Sequence, residues 1–258
     1  MVERSHRPGV ATFFAADELL VPGATVSLGE SVARHVRAVR YGVGNEIRLI
    51  DGAGKRAQAT IVRLSRETVS AQIEAIEEVP SLPAVHALVP VADRERMLWL
   101  AEKAVELGVT SWRPVMWKRS RSVLPRGEGP TFTRKVRARM AGALEQSEGA
   151  HLPLLFPEAT PDRAIAAAPE GARVVLDRDG VPLLEVDLAA PVTIAIGPEG
   201  GLEGAELSQL DAAGFVRAAL GSGILRFETA AVAAIAITRS VLASPSFSSA
   251  RRGAADGH

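Results

Sequence analysis

Two glycine-containing turns carry the residues of this 258-residue chain that could do chemistry. They are Gly197-Pro-Glu-Gly-Gly201 and Leu220-Gly-Ser-Gly-Ile-Leu-Arg226, and the second leads into Glu228-Thr-Ala-Ala231. Each turn follows a short apolar run, Thr193–Ile196 or Phe215–Leu220, and such runs bounded by Gly and Pro indicate buried strands. Parallel strands that end in glycine turns form a crevice at their carboxyl ends, where α/β proteins bind ligands. We therefore expect a cofactor site here.

Motifs that the sequence lacks narrow the kind of cofactor. Gly221-Ser-Gly223 begins a dinucleotide fingerprint, but position 226 is Arg where a third Gly would stand. The sequence has no P-loop, no serine elbow, no His pair at metal spacing and no Cys. Glycine loops let backbone groups read adenine in an apolar slot, which suits S-adenosylmethionine because it carries no phosphates. The alternative is that both segments are ordinary turns.

The charge distribution suggests a polyanionic partner. The chain has 30 basic residues (Lys and Arg) and 30 acidic residues (Asp and Glu). Residues 94–140 contain 12 basic and 4 acidic residues, whereas residues 141–258 contain 8 basic and 15 acidic residues. The basic block is either a polyanion-binding face or a solvated surface. Residues 1–9 lack the apolar core of a signal peptide, and the apolar run 230–237 is far shorter than the ~20 residues of a membrane span. We expect a cytoplasmic protein with no membrane segment.

Residues 1–76 are predicted to form a small β-rich domain, because runs of β-branched residues are separated by turn signals. Asp51-Gly-Ala-Gly54 predicts a hairpin. Within this region, Ser31–Arg40 is predicted to be a helix with Val32, Val36 and Val39 on one face. Its arginines suit phosphate contacts, or the helix closes the end of a small barrel. The predicted strands are Ala24–Leu28, Glu46–Ile50, Ala57–Leu64 and Thr68–Ile76.

After a linker at residues 77–83, residues 84–243 alternate between strands and helices, which predicts a mostly parallel sheet covered on both faces. The predicted strands are Val85–Val91, Val109–Trp117, Leu152–Phe156, Ala172–Leu176, Val192–Ile196 and Phe215–Leu220. The predicted helices are Arg94–Leu107, Thr131–Glu145, Pro161–Ala168, Glu203–Ala213 and Thr229–Leu242. The last helix is apolar around most of its circumference, so it needs cover on two sides and favours a dimer. Residues 244–258 are expected to be a disordered tail.

Several motifs resemble the RsmE family, the 16S ribosomal RNA methyltransferases that modify N3 of a uracil, within the SPOUT superfamily. The resemblance lies in Ile196-Gly-Pro-Glu-Gly-Gly-Leu202, Glu206 and Leu220-Gly-x-x-Ile-Leu-Arg-x-Glu-Thr-Ala230. Upstream, Arg34-His-Val-Arg37, Glu102-Lys-Ala-Val-Glu-Leu-Gly108 and Glu145-Gln-Ser147 match in the same order. The resemblance implies an N-terminal PUA-like β-barrel (1–76) and a SPOUT-type α/β domain (84–243) with a trefoil knot. It also implies S-adenosylmethionine as cofactor, 16S rRNA of the small subunit as partner, an obligate homodimer and no metal.

The resemblance also assigns the site residues. Arg226 is the candidate for stabilising the anion that develops on the uracil, although it could instead pair with Glu228 or with RNA phosphate. Glu228 is either the base, or a group that orients Arg226 or binds backbone N–H groups. The expected cofactor contacts are Leu176, Ile196, Gly197, Gly200, Gly201, Leu220, Gly221, Ile224, Leu225 and Thr229.

Five cations are expected to contact the RNA backbone, namely Arg34, Arg37, Lys118, Arg119 and Arg121. The chain departs from the family pattern at Gly223, Phe227, Lys118 and the segment 148–153, and the changes at Gly223 and in 148–153 remove cations near the expected RNA site. Two further classes therefore stay open. One is a methyltransferase of the same superfamily that acts on another RNA position, and the other is a non-catalytic RNA-binding module with a degenerate cofactor pocket.

Overall fold

A computed structural model describes residues 10–15, 18–122 and 129–244 of the chain. These residues form two compact units. The first contains the chain up to Ser81 together with Ala141–Leu152, and the second contains Leu82–Met140 and the chain from Pro153 onward. The predicted disordered tail lies almost wholly outside the described residues, which end at Ser244.

The first unit is built on a five-stranded sheet with the order β1-β3-β4-β5-β2. Its elements are β1 (Thr12–Phe14), β2 (Thr25–Leu28), α1 (Glu30–Ala38), β3 (Glu46–Ile50), β4 (Lys55–Leu64) and β5 (Val69–Glu78). The hairpin predicted at 51–54 joins β3 and β4, whereas β1, which pairs in parallel with β3, was not predicted. Strand β5 continues to Glu78, two residues into the expected linker, because Glu78 still pairs with Lys55.

Helix α1 packs one face into the core of this unit, but of the three valines predicted to share that face only Val36 is fully buried, Val32 is partly buried, and Val39 follows the end of the helix and is 39% exposed. Ala33 and Val36 are fully buried among residues from all five strands. Arg37 is exposed and donates hydrogen bonds to the carbonyl oxygens of Ser65 and Arg66, at 2.7 and 2.8 Å. Arg34 is exposed. Arg34 and Arg37 were both predicted to contact RNA. Arg37 has a structural role as well, because its hydrogen bonds support the turn between β4 and β5.

Residues 141–152 return to the first unit, although the sequence assigned them to the C-terminal domain. The Glu145 carboxylate accepts a hydrogen bond from the Phe14 backbone N–H at 2.7 Å. Glu148 pairs with Arg48 at 2.8 Å, and the Leu152 N–H donates to the Gly52 carbonyl at 2.8 Å. These contacts join residues that are about a hundred positions apart in the sequence, so a local sequence pattern does not predict them.

We expect Glu145→Gln to stabilise the first unit increasingly as the pH rises. Burial raises the pKa of Glu145, although the Phe14 N–H and the charge of His35 act in the opposite direction. The folded state therefore holds a proton that the unfolded state has lost, so wild-type stability falls as the pH rises from the ordinary carboxyl pKa through the raised one. Glutamine can still accept from Phe14 but does not titrate. Urea unfolding of both proteins between pH 4 and pH 8 measures the difference.

Glu145→Ala is the matched control. It leaves the Phe14 N–H without its acceptor, so it should destabilise the protein by about 1–3 kcal/mol across this pH range. A stability difference between Glu145→Gln and wild type that stays constant with pH would contradict the account.

The second unit is built on a six-stranded sheet in which all the described strand pairs are parallel, with the order β11-β9-β10-β6-β7-β8. This confirms the predicted α/β class. The strands are β6 (Val85–Pro90), β7 (Ser111–Val115), β8 (Leu154–Leu155), β9 (Ala172–Pro182), β10 (Val192–Ala195) and β11 (Val216–Ala219). The helices are α2 (Arg94–Glu106), α3 (Gly129–Ser147, whose last residues belong to the first unit), α4 (Pro161–Ala166), α5 (Gly204–Ala212) and α6 (Phe227–Ala243).

Helices α2 and α6 pack against each other, and Arg239 of α6 fixes the end of α2. Its guanidinium donates to the carbonyl of Leu107 at 2.9 Å and also reaches the carbonyls of Gly108 and Pro83. Gly108 follows α2 with a φ of 67°, which confirms it as the predicted helix stop. This anchoring matters because the first turns of α2 and α6 both reach the site described below.

Helix α6 keeps part of its apolar surface half-buried in the single chain. Ala231, Ala234 and Ile235 are buried, whereas Val232, Ala233, Ala236 and Ile237 are intermediate in exposure. The described residues contain no helix long and apolar enough to cross a membrane.

Candidate cofactor site

A cavity of about 510 Å³ lies at the carboxyl ends of β10 and β11 and beside the middle of β9. Three chain segments form most of its wall, namely Leu176–Asp179, Ile196–Leu202 and the loop from Leu220 to Phe227. Its position at the strand ends is the one that the glycine turns predicted. A volume of this size accommodates a cofactor of several hundred daltons.

The loop after β10 is fixed from both sides. The buried indole of Trp117 donates its Nε1–H to the Ile196 carbonyl at 2.9 Å, where the strand ends. The Gly201 N–H then donates to the Pro198 carbonyl at 2.8 Å, which closes a tight turn. Gly201 has a φ of 72°, a conformation that favours glycine. The loop is therefore held in shape before any ligand binds.

Glu206 anchors the far end of this loop. One carboxylate oxygen accepts from the Glu203 N–H at 2.8 Å, which completes a capping box at the start of α5. The other accepts from the Lys118 N–H at 2.7 Å. Because both oxygens of this buried side chain are used, Glu206 is a structural link between the loop and residues 118–122.

Lys118 and Arg119, two of the predicted RNA contacts, are held against this loop. Lys118 Nζ lies 2.7 Å from Glu203 Oε2, and Arg119 Nε lies 3.8 Å from Glu203 Oε1. Arg119 also donates to the Gly200 carbonyl and lines the cavity. A Cβ at Gly200 would approach Arg119 Cδ to 3.1 Å, so the loop and this arginine are in close contact. Arg121 lies in the same 3-10 helix, Lys118–Ser122, but its side chain is outside the described residues.

An irregularity in β9 supplies the wall that sequence reasoning did not foresee. Along β11, Arg217 pairs with Val175 and the next residue pairs with Val181, so residues 176–180 of β9 bulge out. Four bulge residues, Leu176–Asp179, line the cavity. The sequence predicted the strand to end at Leu176, so it identified only the first of these residues.

Charged groups on the bulge are paired with β11. Asp177 is largely buried and lies 3.7 Å from Arg217 NH1. Arg217 Nε donates to Asp211 Oδ1 at 3.0 Å, and this contact lowers the pKa of the Asp211 carboxyl. The cavity wall thus carries a carboxylate that can accept hydrogen bonds from ligand hydroxyl or ammonium groups.

We expect Gly180→Ala to weaken cofactor binding by about tenfold or more. A Cβ at Gly180 would lie 2.4 Å from the Arg217 carbonyl carbon and 2.6 Å from the Ala218 nitrogen, so β11 would have to move away from β9. That movement displaces the wall on both strands, and misplacement by about 1 Å is costly in a binding site. Calorimetric titration measures the loss.

Gly204→Ala is the matched control, because a Cβ at this first residue of α5 meets no atom within 4 Å. It should bind cofactor as the wild type does. Wild-type affinity in Gly180→Ala would show that the close packing of the bulge is not required.

The loop after β11 presents apolar side chains to solvent. Ile224 is 86% exposed and Leu225 is 43% exposed, and both line the cavity. Gly221 has a φ of 142°, and a Cβ there or at Gly223 would meet no protein atom within 4 Å. The space in front of these glycines is therefore open, and a flat apolar ligand group there would cover the exposed side chains.

Arg226 stands at the rim of the cavity, between the lining residues Leu225 and Phe227. It is the N-cap residue of α6, and its own carbonyl accepts from the Ala230 N–H at 2.9 Å. Its side chain is exposed and makes no ion pair with any described residue. The guanidinium and the positive end of the helix dipole both favour negative charge at this place.

Glu228 has a different partner from the one expected. Its side chain is 11% exposed, and Oε1 lies 3.7 Å from Arg96 Nε, so it pairs with α2 and not with Arg226. The same arginine also forms an ion pair with Glu199 of the loop after β10. Glu228 Oε2 is buried without a hydrogen-bond partner among the described residues. Arg96, which sequence reasoning missed, thus joins the first glycine loop to the start of α6.

The structure brings nine of the ten predicted cofactor contacts to one cavity. Thr229 is exposed and does not line it, and neither do the side chains of Arg226 and Glu228. Residue types did not reveal four of the other lining residues, Asp177, Arg178, Asp179 and Arg217, because they come from the bulge and its partner strand.

The arrangement suits a nucleoside cofactor without phosphates. Glycine backbone, apolar side chains and one largely buried carboxylate line the cavity. Cationic Arg119 and Arg178 stand at its edge but are not arranged as a glycine-rich phosphate loop. The described residues contain no cluster of His, Asp or Glu that could hold a metal ion.

The fold and the site define an α/β protein with a cavity at the carboxyl ends of strands in a parallel sheet. Residues 80–239 match the family model of RNA methyltransferase domains, and residues 28–74 match that of RNA methyltransferase PUA domains. The first match covers more than half of the chain. This chain therefore belongs to the RNA methyltransferase family.

Individual relatives agree with this assignment. Proteins named ribosomal RNA small subunit methyltransferase E share 28% identity with the chain. The Mycobacterium bovis protein matches over 88% of this chain and 90% of its own length, and the Synechocystis protein over 86% and 75%. A crystal structure of the Neisseria gonorrhoeae ribosomal RNA small subunit methyltransferase E bound to S-adenosyl methionine superposes with a TM-score of 0.81 at 27% identity. That match covers 90% of this chain and 98% of that one. The resemblance to the RsmE family is confirmed.

Proposed function

We propose that this protein transfers a methyl group from S-adenosylmethionine to N3 of a uridine in the 16S RNA of the small ribosomal subunit. The observation that carries the proposal is the cavity between the two glycine loops at the ends of β10 and β11. The cofactor in the Neisseria relative and the ribosomal RNA in the relatives' names support the same substrates. The N3 position rests on the motif resemblance.

The two glycine loops and the β9 bulge would hold the cofactor. The backbone of Gly197–Gly201 and of Leu220–Gly221 can contact adenine, with Leu176, Ile196, Ile224 and Leu225 as the apolar walls. Asp177 is suited to accept from a ribose hydroxyl or from the ammonium group. The bound cofactor supplies a methyl group that is already activated on a sulfonium.

Arg226 acts on the acceptor base. Uracil N3 is an imide that carries its proton at neutral pH, so transfer requires that the proton leaves and that the anion is stabilised. The Arg226 guanidinium, on the exposed rim beside Leu225, is placed to hold that negative charge. Arginine is suited to this task because it stays protonated and presents several donors in a plane.

Glu228 acts through Arg96. A carboxylate that is almost buried and paired with an arginine of α2 is placed to orient that arginine, which in turn holds Glu199 in the first loop. The proton of N3 therefore leaves to solvent, and Arg226 stabilises the negative charge that remains on the base. This account makes Glu228 a positioning residue.

The remaining parts of the proposal concern RNA and assembly. Arg34 and Arg37 of the PUA-like unit, and Lys118, Arg119 and Arg121 beside the cavity, contact the RNA backbone. The protein works as a cytoplasmic homodimer, in which a second copy covers the half-buried apolar face of α6 and Trp99 of the adjoining α2, which is 44% exposed. The trefoil knot of the superfamily completes the proposed fold.

Calorimetric titration of the purified protein with S-adenosylmethionine tests the proposal. Saturable binding in the micromolar range is expected, together with transfer of labelled methyl groups to small-subunit RNA. A folded protein that binds no cofactor at millimolar concentration would overturn the proposed enzyme and favour an RNA-binding module with a degenerate pocket. Analytical ultracentrifugation tests the dimer, and a monomer at micromolar concentration would refute it.

A further inference from the structure

Helix α3 presents a basic face that none of the contacts described above uses. Phe132, Val136 and Met140 recur at intervals of four and are buried. The other side of the helix exposes Arg134, Lys135 and Arg137. Residues three positions apart lie on the same side of a helix, so Arg134 and Arg137 project together.

Little negative charge opposes this face. The sequence contains no Asp or Glu between residues 129 and 144. Arg139 lies 3.5 Å from Glu102, and Arg134 donates to Thr131 Oγ1 at 3.4 Å, but Lys135 and Arg137 form no ion pair with any described residue. By contrast, Lys118 and Arg119, which the sequence favoured as RNA contacts, already face Glu203.

Helix α3 contacts the element that reaches the cavity. Arg94, in the first turn of α2, has its guanidinium carbon 6.0 Å from the ring centroid of Phe132 on α3. Two residues further along, Arg96 pairs with Glu199, which lines the cavity. The buried side of α3 therefore packs beside the first turn of α2, and that turn reaches the rim of the site.

We propose that the exposed face of α3, formed by Arg134, Lys135 and Arg137, binds the phosphate backbone of the RNA substrate. A partner of this chemistry is favoured because three exposed cations on one helix, with little nearby acid, attract a regular row of phosphates. This inference rests on the proposed function and adds to it the surface that carries electrostatic affinity. Contacts of this kind position the RNA without reading its sequence.

The triple variant Arg134→Gln, Lys135→Gln, Arg137→Gln tests the proposal, because glutamine keeps the helix propensity and removes the charge. Binding to a 16S rRNA transcript and to an unrelated RNA duplex is measured by anisotropy over a range of salt concentrations. We expect the affinity for both RNAs to fall by about 10- to 100-fold at low salt, and the slope of log affinity against log salt to become shallower by about 2 to 3. Affinity for S-adenosylmethionine should be unchanged.

Arg163→Gln on α4 is the matched control for net charge, because Arg163 is exposed and outside the site. It should change RNA affinity by less than about twofold, whereas Arg137→Gln alone should lower it more. Wild-type affinity and salt slope in the triple variant would overturn the proposed surface, while intact methyl transfer would leave the proposed function standing.

The reverse outcome is also distinguishable. If the protein binds RNA through α3 but transfers no methyl group, the proposed RNA-binding surface stands and the proposed function is refuted. A wild-type protein that binds neither RNA at low salt would overturn both.

Discussion

We expect Arg226→Ala to lower the rate of methyl transfer by about 100-fold or more while changing the affinity for S-adenosylmethionine by less than about threefold. The loss follows from removal of the cation that stabilises the uracil anion, an effect of about 3 kcal/mol for a single lost donor in other enzymes. The affinity is spared because the Arg226 side chain does not line the cavity. Single-turnover rates and calorimetry on the same variant measure the two quantities.

The pH dependence separates this role from a structural one. Without Arg226, deprotonation of N3 depends more on hydroxide, so the residual rate of the variant should rise more steeply with pH than the wild-type rate. Arg226→Lys keeps a charge but loses the planar set of donors, and it should recover part of the activity. Near-wild-type transfer by Arg226→Ala, with cofactor bound normally, would refute the assignment.

We expect Arg96→Met to raise the KM for S-adenosylmethionine by about 10- to 100-fold. Arg96 forms ion pairs with Glu199 in the first glycine loop and with Glu228 at the start of α6, so its loss releases the Glu199 wall of the cavity from its link to α6. Methionine keeps much of the aliphatic stem. The variant also leaves Glu228 nearly buried without its partner, which should cost about 1–3 kcal/mol of stability. Steady-state kinetics and urea unfolding measure the two effects.

The double variant Arg96→Met, Glu228→Gln distinguishes loop positioning from general destabilisation. Removal of the carboxylate charge should restore part of the stability, but not the affinity for the cofactor, because Glu199 still lacks its partner. RNA affinity should be unchanged in both variants. If KM recovers together with stability, Arg96 has no separate role in positioning the loops.

The local sequence pattern was sufficient to predict most of the residues that line the candidate cofactor site. The Gly197–Gly201 and Leu220–Arg226 turns follow apolar runs, and the structure places them at the ends of β10 and β11, two strands of the parallel sheet that lie on either side of β9. Chain order and hydrophobic period also predicted most helices and strands, because each of these depends on residues close in sequence. Strand β1 was missed because only three residues pair and little flanks them.

Long-range contacts account for what the sequence did not reveal. In the β9 bulge, Gly180 packs closely against the backbone of Arg217. The residue type at neither position predicts this contact. The pairing of Glu228 with Arg96 joins residues 132 positions apart, so proximity in sequence favoured Arg226 instead. Residues 141–152 similarly join the first unit through contacts with β1, β3 and β4, which no turn or composition change marks.

Nucleoside analysis of the reaction product tests the central claim most directly. The purified protein is incubated with 16S rRNA or small subunits that lack the modification, together with isotope-labelled S-adenosylmethionine, and the RNA is digested and separated by mass spectrometry. The account predicts that the label appears in N3-methyluridine at one position and is lost with Arg226→Ala. Label in a 2′-O-methylated ribose or another base, or no label in RNA despite bound cofactor, would contradict it.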